Sequence, residues 1–338
     1  MNIDELYMQR CLQLAGMAEG HTPPNPMVGA VVVCDGLIIG EGYHRRCGEP
    51  HAEVNAIASV HDKSLLSRST IYVSLEPCSH YGKTPTCCDL IIASRIPRVV
   101  VGCLDPFPEV SGRGVKRLRD NGIEVITGIL EQECWWLNRK FMTFHIQHRP
   151  YITLKWAQSS DGYIDRKREA HEKATLFSTS TTQVCSHRLR ATNDAIAVGT
   201  NTVLTDNPSL TVRYWSGKNP LRVTLDRLCR IPSSATILDG TTPSIIIKDC
   251  DSSAGNEASL HTLIQTLREH NIQSLIVEGG RELLQSFIDN KLWDEARIET
   301  TPIELNNGIA APHIDGQTIA YNNHRPGHNT LVLRNLCK

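Results

Sequence analysis

The chain has 338 residues, enough for about two domains that each bury a core, so a single small module is excluded. Lysine and arginine number 35 against 36 aspartates and glutamates, a formal net charge of −1 that argues against bulk capture of nucleic acid or an anionic membrane. Apolar residues at 40% and charged residues at 21% suit a soluble globular protein, and no apolar run approaches the roughly 18 residues of a membrane span.

The opening residues Met1 to Leu6 carry no basic stretch leading into an apolar core, so no secretory leader is expected and the cytoplasm is the expected compartment. Twelve cysteines scattered along a long chain fit buried thiols with a metal site among them, not the disulfide framework of a small secreted domain. Apolar residues at helical spacing predict an amphipathic helix from Asp4 to Glu19, followed by the rigid loop Thr22 to Pro26. The run Val28 to Val33, turned at Asp35-Gly36 into Leu37 to Gly40, reads as a hairpin. Beyond it come a helix Ala52 to Val60, a strand Thr70 to Leu75 and a helix Asp89 to Ser94. A strand Arg98 to Cys103, a helix Gly114 to Asp120, a strand Glu124 to Thr127 and a helix rich in Trp135, Trp136 and Phe141 complete the first half. The polar stretch His145 to Pro150 marks a boundary, with domains expected over 1–147 and 150–338. In the second half, strands are expected at 151–154, 194–199, 221–225, 244–248 and 274–277, and helices at 181–191, 260–270 and 281–288. Alternation of this kind predicts α/β layers in both halves.

His51-Ala52-Glu53 opens a predicted helix, and Pro77-Cys78 with Cys87 and Cys88 follows the next strand. One histidine and two cysteines make a three-ligand tetrahedral zinc site with a fourth position open, the arrangement of catalytic zinc. Zinc acidifies a coordinated water, and a carboxylate that is not a ligand, here Glu53, carries its proton to a leaving amine. The pattern H-x-E followed by P-C-x-x-C marks zinc deaminases, but here eight residues separate Cys78 from Cys87, and Cys88 competes as the third ligand. Residues two apart lie on nearly opposite faces of a helix, so His51 and Glu53 reach one zinc-bound water only if the helix starts there and the long glutamate side chain folds back. His44 and His80 fall in loops near this site. Gly112-Arg113-Gly114 imitates a dinucleotide fingerprint, but Arg117 stands at the third glycine position, and the string is read as a helix-start turn.

The string Asn25 to Val33, then Gly42-Tyr43-His44, His51-Ala52-Glu53 and Glu76 to Cys87 with its long insert, resembles the bifunctional pyrimidine deaminase-reductases of riboflavin biosynthesis. The likeness continues through Val99 to Gly102 and Asp105-Pro106 into the second half. It implies zinc on His51, Cys78 and Cys87, proton transfer by Glu53, and a cytidine-deaminase-like three-layer α/β/α domain. In the second half, Leu275 to Gly280 and Ala197 to Thr202 are strand-glycine-helix junctions, natural phosphate seats without a G-x-G-x-x-G fingerprint. Leu154 to Gly162 and Asp206 to Arg213 are similar to two motifs of the same family's reductase half, implying a dihydrofolate-reductase-like domain that uses NADPH. The resemblance places cofactor contacts at Gln158, Leu176, Thr202, Asp206, Gly280, Arg281, Glu282, Leu283, Leu284, Gln285 and Ser286. Substrate contacts are placed at Ala174, Arg190, Leu210, Arg213 and Glu278. Arg190 and Arg213 have the guanidinium forks a substrate phosphate needs, and Lys155 is positioned in its motif to polarise the sugar carbonyl. Leu176-Phe177-Ser178 departs from the family's W-I-[ST]. The reading is a bifunctional enzyme for a phosphoribosylaminopyrimidine, with no nucleic-acid or membrane partner and with room for a homo-oligomer. Its rivals are a nucleoside or tRNA deaminase with an accessory nucleotide-binding domain, a zinc-stabilised nucleotide sensor, and a deaminase whose reductase half has lapsed.

Overall fold

The computed structural model describes residues 2–79, 85–107, 111–168, 172–248 and 256–336. Two compact units divide the chain, Met1–His148 and Arg149–Lys338.

In the first unit, α1 (Ile3–Gly16) begins at a capping box in which the Asn2 side chain accepts the Glu5 N–H and Glu5 returns the bond. β1 (Gly29–Cys34) and β2 (Leu37–Tyr43) form the expected hairpin, with Asp35 (φ 50°) and Gly36 (φ 77°) both in the left-handed region, as the tightest hairpin turns require. The chain continues through α2 (Ala52–Ser59), β3 (Thr70–Leu75), α3 (Cys87–Ala93), β4 (Arg98–Cys103), α4 (Arg113–Asp120), β5 (Glu124–Thr127), α5 (Glu131–Leu137) and α6 (Arg139–Gln147). The sheet order is β2-β1-β3-β4-β5, with β1 antiparallel to both neighbours and β3, β4 and β5 parallel. Strand alternation splits the buried residues between two faces. Val32, Ile71, Val73 and Val101 pack with Ala56 of α2, Ile91 of α3 and Leu118 of α4, whereas Val31, Tyr72 and Val100 pack with Met8 of α1, Cys134 of α5 and Met142 of α6. A three-layer α/β/α unit results. The single tryptophan-rich helix expected before the boundary is two helices, because Asn138 leaves the helical path and its side chain bonds both Met27 N–H (2.8 Å) and Met27 C=O (2.9 Å).

The second unit contains β6 (Tyr151–Gln158), β7 (Tyr163–Asp165), α7 (Ser180–Ala191), β8 (Ala195–Gly199), α8 (Thr200–Asp206), β9 (Leu221–Leu225), β10 (Ser244–Ile247) and α9 (Asn256–Glu269). It ends with β11 (Ser274–Val277), α10 (Arg281–Asp289), β12 (Glu295–Thr300), β13 (Ile309–Ala310), β14 (Gln317–Arg325) and β15 (His328–Arg334). The main sheet runs β10-β9-β8-β11-β6-β12-β15-β14, parallel through β12, after which β15 and β14 are antiparallel; β13 pairs with β7 separately. Leu154, Ala197, Leu275 and Val277 pack with Leu263 of α9 and Phe287 of α10 on one face, and Ile196, Val198 and Ile276 pack with Val203 of α8 and Leu210 on the other. Parallel strands point their C-terminal ends the same way, so the loops after β6, β8, β9 and β11 gather at one edge, where ligands bind in open α/β sheets. No helix among the described residues is long and apolar enough to cross a bilayer.

Candidate active sites

His51 is the extended residue immediately before α2 (φ −68°, ψ 166°), and Glu53 lies in the first helical turn. Because His51 stands outside the helix, the two-residue spacing no longer separates its side chain from that of Glu53. Close approach of α2 to the sheet requires glycine: a Cβ on Gly42 would stand 2.3 Å from the backbone nitrogen of Ala56.

The cysteines reach this helix start from β3 and α3. After β3, the Glu76 carboxylate accepts N–H bonds from Gly114 (2.8 Å), Gly112 (2.9 Å), Val115 (3.1 Å) and Asp105 (3.3 Å). A protein carboxylate therefore occupies the N-terminus of α4, and Gly112-Arg113-Gly114 is a helix start. Gly114 also lets the Pro77 carbonyl pass, since a Cβ there would meet it at 2.2 Å. Arg117 pairs with Asp89 and donates to the Ser79 carbonyl at 3.2 Å, holding the segment beyond Cys78. Cys87 is the first residue of α3, capped by Thr86, and its N–H donates to Cys78 Sγ at 3.3 Å.

These elements bring His51 Nδ1 to 3.7 Å from Cys78 Sγ and 3.3 Å from Cys87 Sγ, with the three donor atoms all within 4.8 Å of one another. Ordinary Zn–S and Zn–N lengths at the tetrahedral angle put nitrogen and sulfur about 3.6 Å apart, so the donor set fits zinc. Cys87 is buried, Cys78 half-buried and His51 exposed, which leaves the cluster open on the histidine side. A hydrogen bond from Cys87 holds the Cys78 thiol below its ordinary value despite burial, with His51 adding to the effect, so one thiolate is already favoured. Cys88, the competing ligand, instead points its thiol at the carbonyls of Pro77 (3.4 Å) and Gly114 (3.7 Å), and burial pushes it up to about 12. Glu53 is 3% exposed; burial, with Cys78 beside it, pushes its carboxyl up to about 7.

Asn25 and His44, from the loop and the end of the hairpin, complete the surroundings. The Pro50 carbonyl 3.2 Å from His44 Nδ1 makes that nitrogen the donor, leaving Nε2 to accept from Asn25 Nδ2 at 3.2 Å. Burial holds His44 below the ordinary histidine value, and its ring meets the His51 ring edge-on at 5.5 Å. His80 lies outside the described residues.

In the second unit a cavity of about 980 Å³ opens at the gathered strand ends. Lys155 and Glu278 line it, with Ala174, Thr202 and Asp206, and with Gly280, Arg281, Glu282, Leu283, Leu284 and Ser286 at the start of α10. The volume suits a large ligand. Gly280 (φ 60°) caps α10 without a side chain, and a Cβ there would stand 3.3 Å from Thr202 Oγ1, so the cradle between α8 and α10 stays open to a phosphate. Arg227 and Arg230 add positive charge from the end of β9. This lining fits a dinucleotide. Arg168 joins it as well, bonded to Asp165 at 2.6 Å and paired with Asp206.

Other expected contacts are not brought to the cavity. Gln158 turns back to accept the Trp156 indole N–H at 2.8 Å, and Leu176 is 71% exposed while its neighbour Phe177 is buried and lines the wall. Gln285 bonds the His313 N–H at 3.0 Å from the outer side of α10. Leu210 is a core residue. Arg190, expected to take a phosphate, forks Glu278 at 2.9 and 2.6 Å and donates to the Thr211 carbonyl at 3.1 Å, so three of its five donors, the carboxylate fork among them, are already committed. Burial acts to raise Glu278, and Arg190 outweighs it, holding the carboxyl below its ordinary value. Arg213 is exposed and reaches Ser209 Oγ at 2.7 Å. Its N–H donates to His187 Nδ1 at 2.9 Å, while burial and the neighbouring Arg190 and Arg213 hold His187 down to about 4.

Several of these residues carry no motif of their own. Glu76 had a signal, an acid directly after a buried strand; Arg168 and Arg230 had none, since only folding places them on the cavity wall.

Comparison with known proteins covers both units. The model described as the cytidine and deoxycytidylate deaminase zinc-binding region matches residues 1–103, and the RibD C-terminal domain matches residues 150–322. The chain is 40% identical over 323 residues to the riboflavin biosynthesis protein RibD of Aquifex aeolicus, covering 91% of this chain and 89% of that one. To the RibD of Escherichia coli it is 36% identical, with 88% of each covered. Among solved structures it is similar to the diaminohydroxyphosphoribosylaminopyrimidine deaminase/5-amino-6-(5-phosphoribosylamino)uracil reductase of Thermotoga maritima, at 34% identity and a TM-score of 0.87, over 98% of this chain and 99% of that one. Acinetobacter baumannii RibD gives the same TM-score of 0.87 at 31% identity, with 98% of each covered.

Proposed function

The chain belongs to the RibD family of riboflavin-biosynthesis enzymes, with a deaminase and a reductase domain on one polypeptide, and from that premise we propose how its own residues divide the work. The substrate we assign is the phosphoribosylamino-diaminopyrimidinone, deaminated in the first unit and then reduced at its sugar in the second to the ribitylamino-uracil phosphate. The deaminase domain is of the zinc-binding type and the reductase domain implies a nicotinamide cofactor; our finer assignment is NADPH, supported by the arginines along the cavity.

His51, Cys78 and Cys87 would hold the zinc, which when bound supplies an acidified water close to the substrate amine. Glu53 does the proton work. Its carboxyl is buried beside the cluster without belonging to the three donors, so it takes a proton at an Oε atom and returns it to the amine nitrogen, which leaves as ammonia. This buried, non-ligand carboxyl beside an open three-donor cluster is the observation that carries the deaminase reading. Asn25 and His44 present fixed polar edges beside it, which orient a pyrimidine.

In the second unit, the start of α10 with Gly280 seats the dinucleotide phosphates and Lys155 donates a proton from Nζ to the opened sugar as it is reduced. Glu278 holds Arg190 in place at the cavity edge. The substrate phosphate we assign to Arg213, since the fork and the charge of Arg190 are paired with Glu278. The cytoplasm suits the enzyme because a cluster of two cysteines binds metal only in the reduced state.

The test is one assay on purified, zinc-loaded protein with the diaminopyrimidinone, following ammonia and NADPH absorbance together. Ammonia followed by NADPH loss is expected. Ammonia without NADPH loss returns the lapsed-reductase reading, and neither signal removes the substrate.

A further inference from the structure

Beside Lys155, on the adjacent strand, lies a buried acid that the reading above does not use. Glu299 on β12 is 3% exposed and does not line the cavity. One of its oxygens lies 2.8 Å from Nε2 of His328, a ring with no exposure at all; the other accepts from Ser178 Oγ at 2.7 Å and lies 3.9 Å from Lys155 Nζ. Burying a carboxylate is expensive unless it is paired and hydrogen-bonded. Here burial acts to raise Glu299, but bonds from Thr182, the Lys155 charge, and bonds from Ser178 and His328 together hold it below its ordinary value. It is an anion facing the amine the reduction needs.

The framework explains why the carboxylate does not wander. β12 pairs with β6 in register, Glu299 opposite Ala157 and Arg297 opposite Lys155, so Glu299 and Lys155 come from adjacent strands in the parallel core of the sheet. His328 opens β15, which flanks β12 on its other side. Because Nε2 faces a carboxylate, that nitrogen carries the proton, while Nδ1 is buried with no hydrogen-bond partner among the described residues. A ring nitrogen left without a partner in the core is a cost that packing alone does not call for. The groups facing Lys155 are therefore Glu278 from the end of β11 and Glu299 from β12, with His187 and Arg190 of α7 and Arg213 behind Glu278.

We propose that Glu299, held by His328 and Ser178, is a positioning residue that fixes the direction of the Lys155 ammonium toward the hydride acceptor. This rests on the reductase reading above. Removing the charge leaves the substrate and dinucleotide contacts untouched but frees the lysine to swing, so the loss belongs in the chemical step and not in binding.

The test uses the full zinc-loaded chain, already-deaminated aminouracil substrate and NADPH. Glu299→Gln is expected to lower kcat of NADPH oxidation about tenfold or more, with both KM values changed less than about twofold. A larger isotope effect with NADPH deuterated at the transferred position should accompany it, and Glu299→Asp should restore part of the rate. A wild-type circular-dichroism spectrum and an unshifted denaturant unfolding of the second unit serve as the folding control. Wild-type kcat and isotope effect in Glu299→Gln overturn the proposal, as does a loss confined to KM. If Glu299→Gln does not fold, Ser178→Ala, which removes one bond to the carboxylate, is expected to lower kcat several-fold, and an unchanged kcat overturns the idea. No NADPH oxidation by the unmodified chain would instead sink the reductase reading and the proposal with it.

Discussion

The two sites are built on opposite plans. In the first unit the chemistry proposed above falls to four side chains, delivered by the starts of two short helices and the end of one strand. In the second, a cavity of about 980 Å³ is assembled from the ends of several parallel strands and the helices that follow them. A compact cluster concentrates its function in residues that tolerate no exchange. A broad cavity distributes binding over many contacts and, in the reading proposed above, reserves the chemistry for one lysine flanked by two carboxylates. On that reading the chain has one site expected to fail all at once and one expected to degrade by steps.

The sharpest way to test that contrast is to remove a ligand. Cys87→Ser is expected to lose zinc, measured by metal content, and to release no detectable ammonia while NADPH oxidation on deaminated substrate persists. Cys88→Ser, one residue away, should keep both metal and activity because that thiol donates only to backbone carbonyls. A chelator should reproduce the Cys87→Ser pattern. If Cys88→Ser also strips the metal, the ligand assignment is wrong.

Next in size is Glu53→Gln, expected to retain zinc yet lose about 10²–10⁴-fold in the rate of ammonia release. Parallel loss of zinc would make Glu53 a ligand and would end its role as proton carrier.

For the cavity, Glu278→Gln leaves Arg190 buried without its counter-charge, which costs about 3 kcal/mol or more. Unfolding of the second unit should move to lower denaturant while deamination is spared. The sign with pH follows from the lowered Glu278 value: its contribution is complete above the ordinary carboxylate value of about 4.3. It is lost as the pH falls through the lowered value. Wild type should therefore lose stability on acidification more steeply than Glu278→Gln, and parallel curves would contradict the pairing. The smallest effect is expected from Arg230→Ala, at the cavity rim and bonded to Asn201 at 2.9 Å. A rise of about three- to tenfold in the KM for NADPH with kcat nearly unchanged fits a single charge–phosphate contact at about 1 kcal/mol, and an equal effect with NADH would show that Arg230 does not read the additional phosphate.

Much of the architecture is legible in local pattern. Strands such as Val99 to Val101 are continuous apolar runs, as burial on both faces demands, and Asp35-Gly36 between two such runs specifies its own turn. The terminal strands were not legible. β14, Gln317–Arg325, lies at the edge of the sheet and is mostly exposed, so it shows no alternation, and its pairing with β15 alone makes it a strand. The metal cluster was legible because histidine, glutamate and cysteine advertise their chemistry by type and sit at element starts.

What the sequence by itself determined, then, is whatever depends on residue type and short spacing: the α/β alternation, the hairpin, and His51, Glu53 and Cys78 as candidates for one reactive group. The family spacing already favoured Cys87 over Cys88, and the tertiary structure adds the geometry: adjacent residues at a helix start point in different directions, and the Cys87 thiol is the one beside His51 and Cys78. Only the tertiary structure decided that Arg190 serves Glu278 and that Glu299 stands beside Lys155. Such pairings join residues 88 and 144 positions apart, and a contact of that range exists only once the strands carrying it have been laid side by side.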